Sequence, residues 1–211
     1  MCIRDRRIFP ANNCPTPFLA IIEMILDIVK YGHPVLRQRG ARIETFTPEL
    51  QKLIADMFAT MAKNQGVGLA AQQVGIAKQL AVIDVRAVED RPSTLELDGQ
   101  PADVAKFMPL VLINPEVKPV GEPVKGSEGC LSFPEIYGDI TRPKTVDVKA
   151  LDAKGNPIAF SCGGLLARAV QHEADHLNGI LFIDRMEKAT KLELQPELDA
   201  LAADTKASLK K

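Results

Sequence analysis

The run Gln171-His172-Glu173-Ala174-Asp175-His176-Leu177-Asn178-Gly179 decides how this chain is read. It closes a segment in which Leu165, Leu166, Ala169, Val170 and Leu177 recur at helical spacing, and Asn178-Gly179 is a left-handed stop. The spacing predicts a buried helix over 163–177. Helical residues four apart face the same way, so His172 and His176 can reach one ion at about 2.0–2.1 Å. Glu173, one residue on, is too displaced to share that position and is placed to take a proton from a water activated there. The plain alternative is a surface helix with two solvated histidines. The apolar flanks argue against it, and buried imidazoles need partners, of which a metal ion is the most economical.

A catalytic metal site usually has three protein ligands and one open position. No histidine follows His176, and the downstream acids Asp184 and Glu187 lack a suitable context. Upstream lies Glu128-Gly129-Cys130-Leu131-Ser132, bounded by Gly126 and Pro134. Alone, Cys130 would read as a small buried apolar residue. As a nucleophile with a histidine base it would leave the His–His spacing and Glu173 without a purpose. The residues therefore predict a mononuclear metal hydrolase with Cys130, His172 and His176 on the ion and Glu173 as proton shuttle.

Working outward, 211 residues suit one domain with a real core. Hydrophobic residues at 46% and charged residues at 25% give a soluble globular balance. A net charge of −1, from 26 basic and 27 acidic side chains, gives no general affinity for nucleic acid or acidic membranes. No apolar run reaches the roughly 18 residues of a membrane span. The four cysteines lack framework spacing, which favours a reducing compartment over a disulfide scaffold.

Residues 1–23 mix Arg, Pro, Asn and Cys without a period and read as a leader outside the fold, with an organellar transit peptide as the rival reading. From Met24 the pattern is coherent. Thr47 and Pro48 open an amphipathic helix carrying Leu50, Leu53, Ile54, Met57 and Met61. Strand candidates are 79–85, 110–117, 145–151 and 156–160, the last following a Lys154-Gly155 turn. The polar stretch 86–106 reads as a long loop or hairpin insertion, surface decoration rather than part of the cleft. Strands without regular crossover helices predict a single α+β domain, mostly antiparallel, packed around the HExxH helix.

Three segments, in order, carry a family resemblance: GVGLAAQQ (66–73), EGCLS (128–132) and QHEADHLNG (171–179). Together they resemble the signature motifs of peptide deformylase, over residues 24–186. That family removes the formyl group from the N-terminal formylmethionine of nascent chains and releases formate. The resemblance implies the same three metal ligands, with Glu173 as general base and acid. It implies that Gln73 and the backbone N–H of Leu131 hold the formyl oxygen as it gains charge. Gly66, Val67, Gly68, Glu128, Gly129 and Leu165 would line the substrate cleft, Val67 and Leu165 around the methionine side chain. Glycines at 66 and 68 would let the peptide approach the main chain. Glu128 has a second reading, as support for the site paired with Arg142. Arg168 and Tyr137 depart from residues found in relatives at the pocket and its rim, whereas His33, Cys162 and Gln171 read as structural.

One thiolate and two imidazoles suit Zn, Fe(II), Co or Ni, so ligand type does not decide. The resemblance implies Fe(II) in cells, with Zn, Ni or Co in purified protein. It further implies a cytoplasmic monomer acting on nascent formylated polypeptides, away from membranes. The tail 187–211 has helical character and ends in Lys-Lys; it reads first as a packed helix and second as a ribosome contact. Two other readings are an HExxH endopeptidase, opposed by the missing downstream ligand, and a structural metal module, opposed by the lack of a fourth ligand.

Overall fold

The computed structural model describes residues 23–210. The proposed leader therefore lies outside the described residues except for Glu23. Helix α1, Pro48–Lys63, starts where the sequence predicts: Thr47 is the N-cap and its side chain accepts the Leu50 N–H. Its buried face carries Leu50, Ile54, Met57 and Met61, with Asp56 and Thr60. Leu53 is half-buried beside them.

Seven strands form one antiparallel sheet in the order β1-β2-β5-β6-β7-β3-β4. They are β1 (Gly68–Ala70), β2 (Leu80–Ile83), β3 (Ser93–Leu97), β4 (Gln100–Pro101), β5 (Leu110–Cys130), β6 (Phe133–Leu151) and β7 (Pro157–Gly163). A one-turn helix α2, Val104–Phe107, lies between β4 and β5. Strands β5 and β6 are far longer than the sequence predicts and pair along almost their whole length. The ladder slips at Ile113/Glu116, at Val120/Pro123 and at Gly129/Cys130. Prolines 119 and 123 fit a ribbon whose register shifts leave backbone positions unpaired. The last slip sits beside the ligand candidate, so Cys130 faces Phe133 across the two-residue turn Leu131-Ser132.

The expectation that 86–106 merely decorates the surface is corrected. Strand β3 pairs with β7 (Thr94↔Gly163, Leu95↔Cys162, Glu96↔Ser161) and widens the sheet. Leu95 is buried in the core for the same reason. Ser93 Oγ also accepts the Leu166 N–H at 3.0 Å and the Pro92 carbonyl accepts the Leu165 N–H at 3.2 Å. The insertion thus supplies partners for the first free amides of the central helix.

That helix, α3, spans Gly164–Leu177 and buries eleven of its residues, His172, Glu173 and His176 among them. Gly179 at φ +72° turns the chain out of it, a conformation costly for a residue with a Cβ. Leu165, Leu166, Ala169 and Val170 pack on Val146, Val148, Phe160 and Cys162 of the sheet. A second cluster joins Phe133, Ile136 and Ile140 to Leu181, Phe182, Ile183 and Met186. A third seats α1 against Leu69, Leu80, Val82 and Ile113. The tail forms α4 (Lys188–Glu193) and α5 (Gln195–Ser208), with Leu198 buried in the second cluster near Val29 and Tyr31. Among the described residues no helix is long and apolar enough to cross a membrane.

Candidate metal centre

The helix-borne histidines and the ribbon-borne cysteine converge. Ligand atoms of Cys130, His172 and His176 all lie within 4.8 Å of one another. Cys130 Sγ is 3.3 Å from His176 Nε2, and the two imidazole centroids are 5.0 Å apart. His172 is 7% exposed, His176 1% and Glu173 3%, so these polar groups must find partners inside the protein. Two of them have none: His176 Nδ1 and Glu173 Oε2 are buried without a hydrogen-bond partner. A soft thiolate with two imidazoles, packed this closely and buried, fits a divalent ion of the Zn or Fe(II) type. Among the described residues it is the one His/Cys/Asp/Glu group so arranged.

Behind the ligands runs a buried ion cluster. Glu128 Oε2 is 2.9 Å from His172 Nδ1, and the same carboxylate accepts from Arg142 at 2.6 and 2.9 Å and from Arg168 at 2.8 Å. Arg142 also donates to Asp175 at 2.8 Å, which Arg185 holds from the other side at 2.7 Å. Glu128 is held well below the usual carboxylate range. Burial, the largest effect, acts upward, but the bonds from His172 and Arg142 outweigh it. An ionised Glu128 must accept, so His172 donates from Nδ1, and an ion bound at Nε2 would take the place of the proton that nitrogen otherwise holds. Burial also acts to lower His172, yet its bonds to Cys130 and Glu128 carry it well above the ordinary value. His176 lies well below, through burial first and then the positive charge of His172 and Arg142. Glu128 thus bonds to His172, Arg142 and Arg168, and both Glu128 and Arg168 also border the cleft.

Glu173 faces the same space. Burial, opposed by His172 and Arg142, pushes its carboxyl up to about 7. A cation held by the neighbouring ligands would favour the carboxylate and oppose that rise. Gly68 lies so close that an added Cβ would overlap Glu173 Oε1. That position excludes side chains to make room for the acid, a reason beyond substrate approach. Gln73, on the 3₁₀ segment Ala71–Val74 that follows β1, is fixed by the end of that strand: its Oε1 accepts the Ala70 N–H at 2.8 Å, which leaves Nε2 pointing to the centre, 3.4 Å from Cys130 Sγ.

All of these groups border a cleft of about 510 Å³. Gly66, Val67, Gly68, Glu128, Gly129 and Leu165 all lie along it, with Leu131, Gln73 and Glu173 at the metal end. Val67 and Leu165 supply an apolar wall. Tyr137, 61% exposed, stands at the rim. Sequence reasoning missed Arg91, which the insertion brings to the cleft, and Lys30, whose Nζ donates to the Leu131 carbonyl at 2.9 Å. It also missed Asp175 as a partner of Arg142, since a salt bridge across 33 positions leaves no local signature. His33 and Gln171 are structural as expected: His33 Nδ1 accepts the Val35 N–H, and Gln171 Nε2 donates to the Pro143 and Ala167 carbonyls. Cys162 is buried, and burial pushes its thiol up to about 12, which makes it inert.

Comparison with known proteins agrees with this geometry. The profile of the polypeptide deformylase family matches residues 25–192. The peptide deformylase of Opitutus terrae is 47% identical over 189 residues, covering 89% of this chain and 98% of the relative. That of Methylacidiphilum infernorum is 47% identical over 178 residues, covering 84% and 93%. Among solved structures, Arabidopsis thaliana peptide deformylase 1B with an inhibitor superposes with a TM-score of 0.75 at 36% identity, covering 88% of this chain and 95% of that one. The Synechococcus elongatus peptide deformylase with actinonin gives 0.71 at 39% identity, covering 87% and 94%. A family profile across most of the chain, relatives at this identity and a buried Cys-His-His centre have one reading: the chain belongs to the polypeptide deformylase family, metal-dependent hydrolases that remove a formyl group.

Proposed function

We propose how this chain removes the N-formyl group from the formylmethionine of nascent polypeptides. Cys130, His172 and His176 hold one divalent ion, which when bound activates water and polarises the formyl carbonyl. The apolar wall of Val67 and Leu165 takes the methionine side chain, and the main chain around Gly66 and Gly68 aligns the peptide. Glu173 receives the proton of the attacking water on a carboxylate oxygen and returns it to the departing amine nitrogen. Gln73 Nε2 and the Leu131 N–H donate to the formyl oxygen as it gains negative charge; one such donor is typically worth about 2.7–4 kcal/mol of barrier. Glu128 fixes the tautomer of His172, and Arg142 and Arg168 fix Glu128.

The observation that carries this reading is the buried Glu173 carboxylate, its Oε2 without a partner, beside three convergent ligand atoms. Neither it nor Gln73 is needed merely to hold an ion. We take the ion to be Fe(II) in cells, with Zn, Ni or Co after aerobic purification, and the enzyme to act as a cytoplasmic monomer. Formate release from formyl-Met-Ala-Ser by anaerobically purified protein tests the reading. The parent should release formate, and Glu173→Ala should release almost none while still carrying one ion per chain. A fully metallated parent without formate release would refute the substrate, and an active Glu173→Ala would refute the proton role. Fe(II)- and Zn-loaded forms of equal activity would contradict the metal preference.

A further inference from the structure

Residues 24–31, just before the 3₁₀ turn Pro34–Arg37, run across the molecule from α1 to the metal centre. The Met24 N–H donates to Asp56 at 2.8 Å and the Leu26 N–H to Thr60 Oγ1 at 2.9 Å, both on α1. The Val29 N–H then donates to the Gln73 carbonyl and the Tyr31 N–H to the Ser132 carbonyl, each at 2.9 Å. Between these two bonds, Lys30 sends its ammonium to the Leu131 carbonyl at 2.9 Å. Three consecutive residues therefore tie the Gln73 segment to the Leu131-Ser132 turn, which adjoin at the metal end of the cleft but are 57 or more positions apart in sequence. The turn follows the last register slip of the β5–β6 ladder, where strand pairing is irregular.

We propose that Lys30 is a positioning residue for the oxyanion side of the site. It pins the Leu131 carbonyl, so the neighbouring Leu131 N–H keeps its aim, and it sets a positive charge on the side where the formyl oxygen becomes negative. This rests on the reading of Gln73 and the Leu131 N–H as oxyanion donors. A hydrogen bond from an ammonium to a backbone carbonyl is charge-assisted and stronger than a neutral one. Its backbone neighbours at Val29 and Tyr31 fix where the side chain starts, so the ammonium's reach is short and reproducible. Lys30 itself lines the cleft, in company with Gln73, Cys130 and Leu131.

The test compares Lys30→Met and Lys30→Arg in the metal-loaded full chain with formyl-Met-Ala-Ser as substrate. Loss of an oxyanion donor itself typically costs 10²–10³ in kcat, so loss of its support should cost less, about tenfold. The expected pattern for Lys30→Met is that fall in kcat with KM within about twofold of the parent, at full metal content and parent Tm, with most of the loss restored by Lys30→Arg. An unchanged kcat overturns the proposal. A raised KM at parent kcat overturns it too, because Lys30 would then be binding the peptide. So does a loss that tracks Tm and is not relieved by arginine, since that is a packing role. Gln73→Ala separates the two levels: parent-like kcat there sinks the oxyanion reading, whereas a large loss there beside an undiminished Lys30→Met sinks Lys30 alone.

Discussion

Removing Arg142 and Glu128 together should cost this protein less than the sum of the two single removals. The two side chains are 4% and 5% exposed, so neither charge can be rehydrated in place. Arg142→Met strips Glu128 of two of its four bonds and leaves Asp175 to Arg185 alone. Breaking a buried pair by removing one partner costs about 3–5 kcal/mol. Here Arg168 and His172 still face Glu128, which places the cost near the lower end, about 3 kcal/mol. Glu128→Gln alone strands Arg142 with one carboxylate and should cost about 2–3 kcal/mol, again on the unpaired-charge argument. In the double variant the amide oxygen still accepts from His172 Nδ1, the Arg142 charge is gone, and Arg168 keeps the Val124, Gly126 and Ile140 carbonyls as acceptors. The sum of the singles should therefore exceed the double by about 2 kcal/mol, within the range for directly coupled residues. Urea unfolding of the four proteins at matched metal content measures this, with metal affinity as a second readout. Residues that orient a metal-bound histidine typically account for 10–100-fold in affinity, so Glu128→Gln should also release the ion more readily. Additivity within about 0.5 kcal/mol would mean that the two residues stabilise the protein independently, and the coupled network would have to be abandoned.

Gly68→Ala should keep its ion yet lose about a hundredfold in kcat, because the methyl displaces Glu173 and small misplacements of a reacting group are that costly; kinetics with metal analysis would show it, and parent-like kcat would remove the spatial argument. Ser93→Ala should lower the unfolding free energy by about 1 kcal/mol through loss of the remote cap on α3, read from the urea midpoint, with no change as the contrary result. Asp56 lies below the usual carboxylate range: burial opposes this, but Lys52 and the Met24 N–H outweigh it. A depressed folded value stabilises above the unfolded value of about 3.9, and that contribution is lost progressively as pH falls from there through the lower folded value. The Tm gap between parent and Asp56→Asn should therefore be widest near neutrality and close below about pH 4, and a gap undiminished at pH 3 would contradict the assignment.

What the sequence made legible follows from how far each interaction reaches. Helix α1 and the HExxH helix were readable because their apolar residues repeat every three or four positions and their ends carry Thr47-Pro48 and Asn178-Gly179. Cys130 was readable because two histidines imply a third ligand. The β5–β6 ribbon was not: residues 118–125 are exposed and interrupted by prolines and a glycine, so they show no alternation. Their strand conformation comes from pairing with residues 141–147, and pairing leaves no period in either partner. The insertion was misjudged for a similar reason, since its worth lies in Ser93 reaching an amide 73 positions away. Arg168 was noticed as a departure at the pocket, but its bonds to the Val124, Gly126 and Ile140 carbonyls and to Glu128 belong to the folded ribbon alone.

The two sides of the site are held by different means, and this bears on which residues a motif can reveal. His172, Glu173 and His176 share one buried helix, so their mutual geometry is set by helical pitch and is written locally in five residues. Cys130, Leu131 and Gln73 have no such shared frame. They sit at the end of β5, on the two-residue turn that follows it and on a short 3₁₀ segment, and their relation depends on bonds from residues 29–31. A helix keeps its ligands aligned even when neighbouring packing changes, whereas a turn at a register slip keeps its aim only while its outside partners hold. The general base should thus tolerate remote substitutions better than the oxyanion donors. Residues such as Lys30, conspicuous in no motif, gain their importance from supporting the less rigid half.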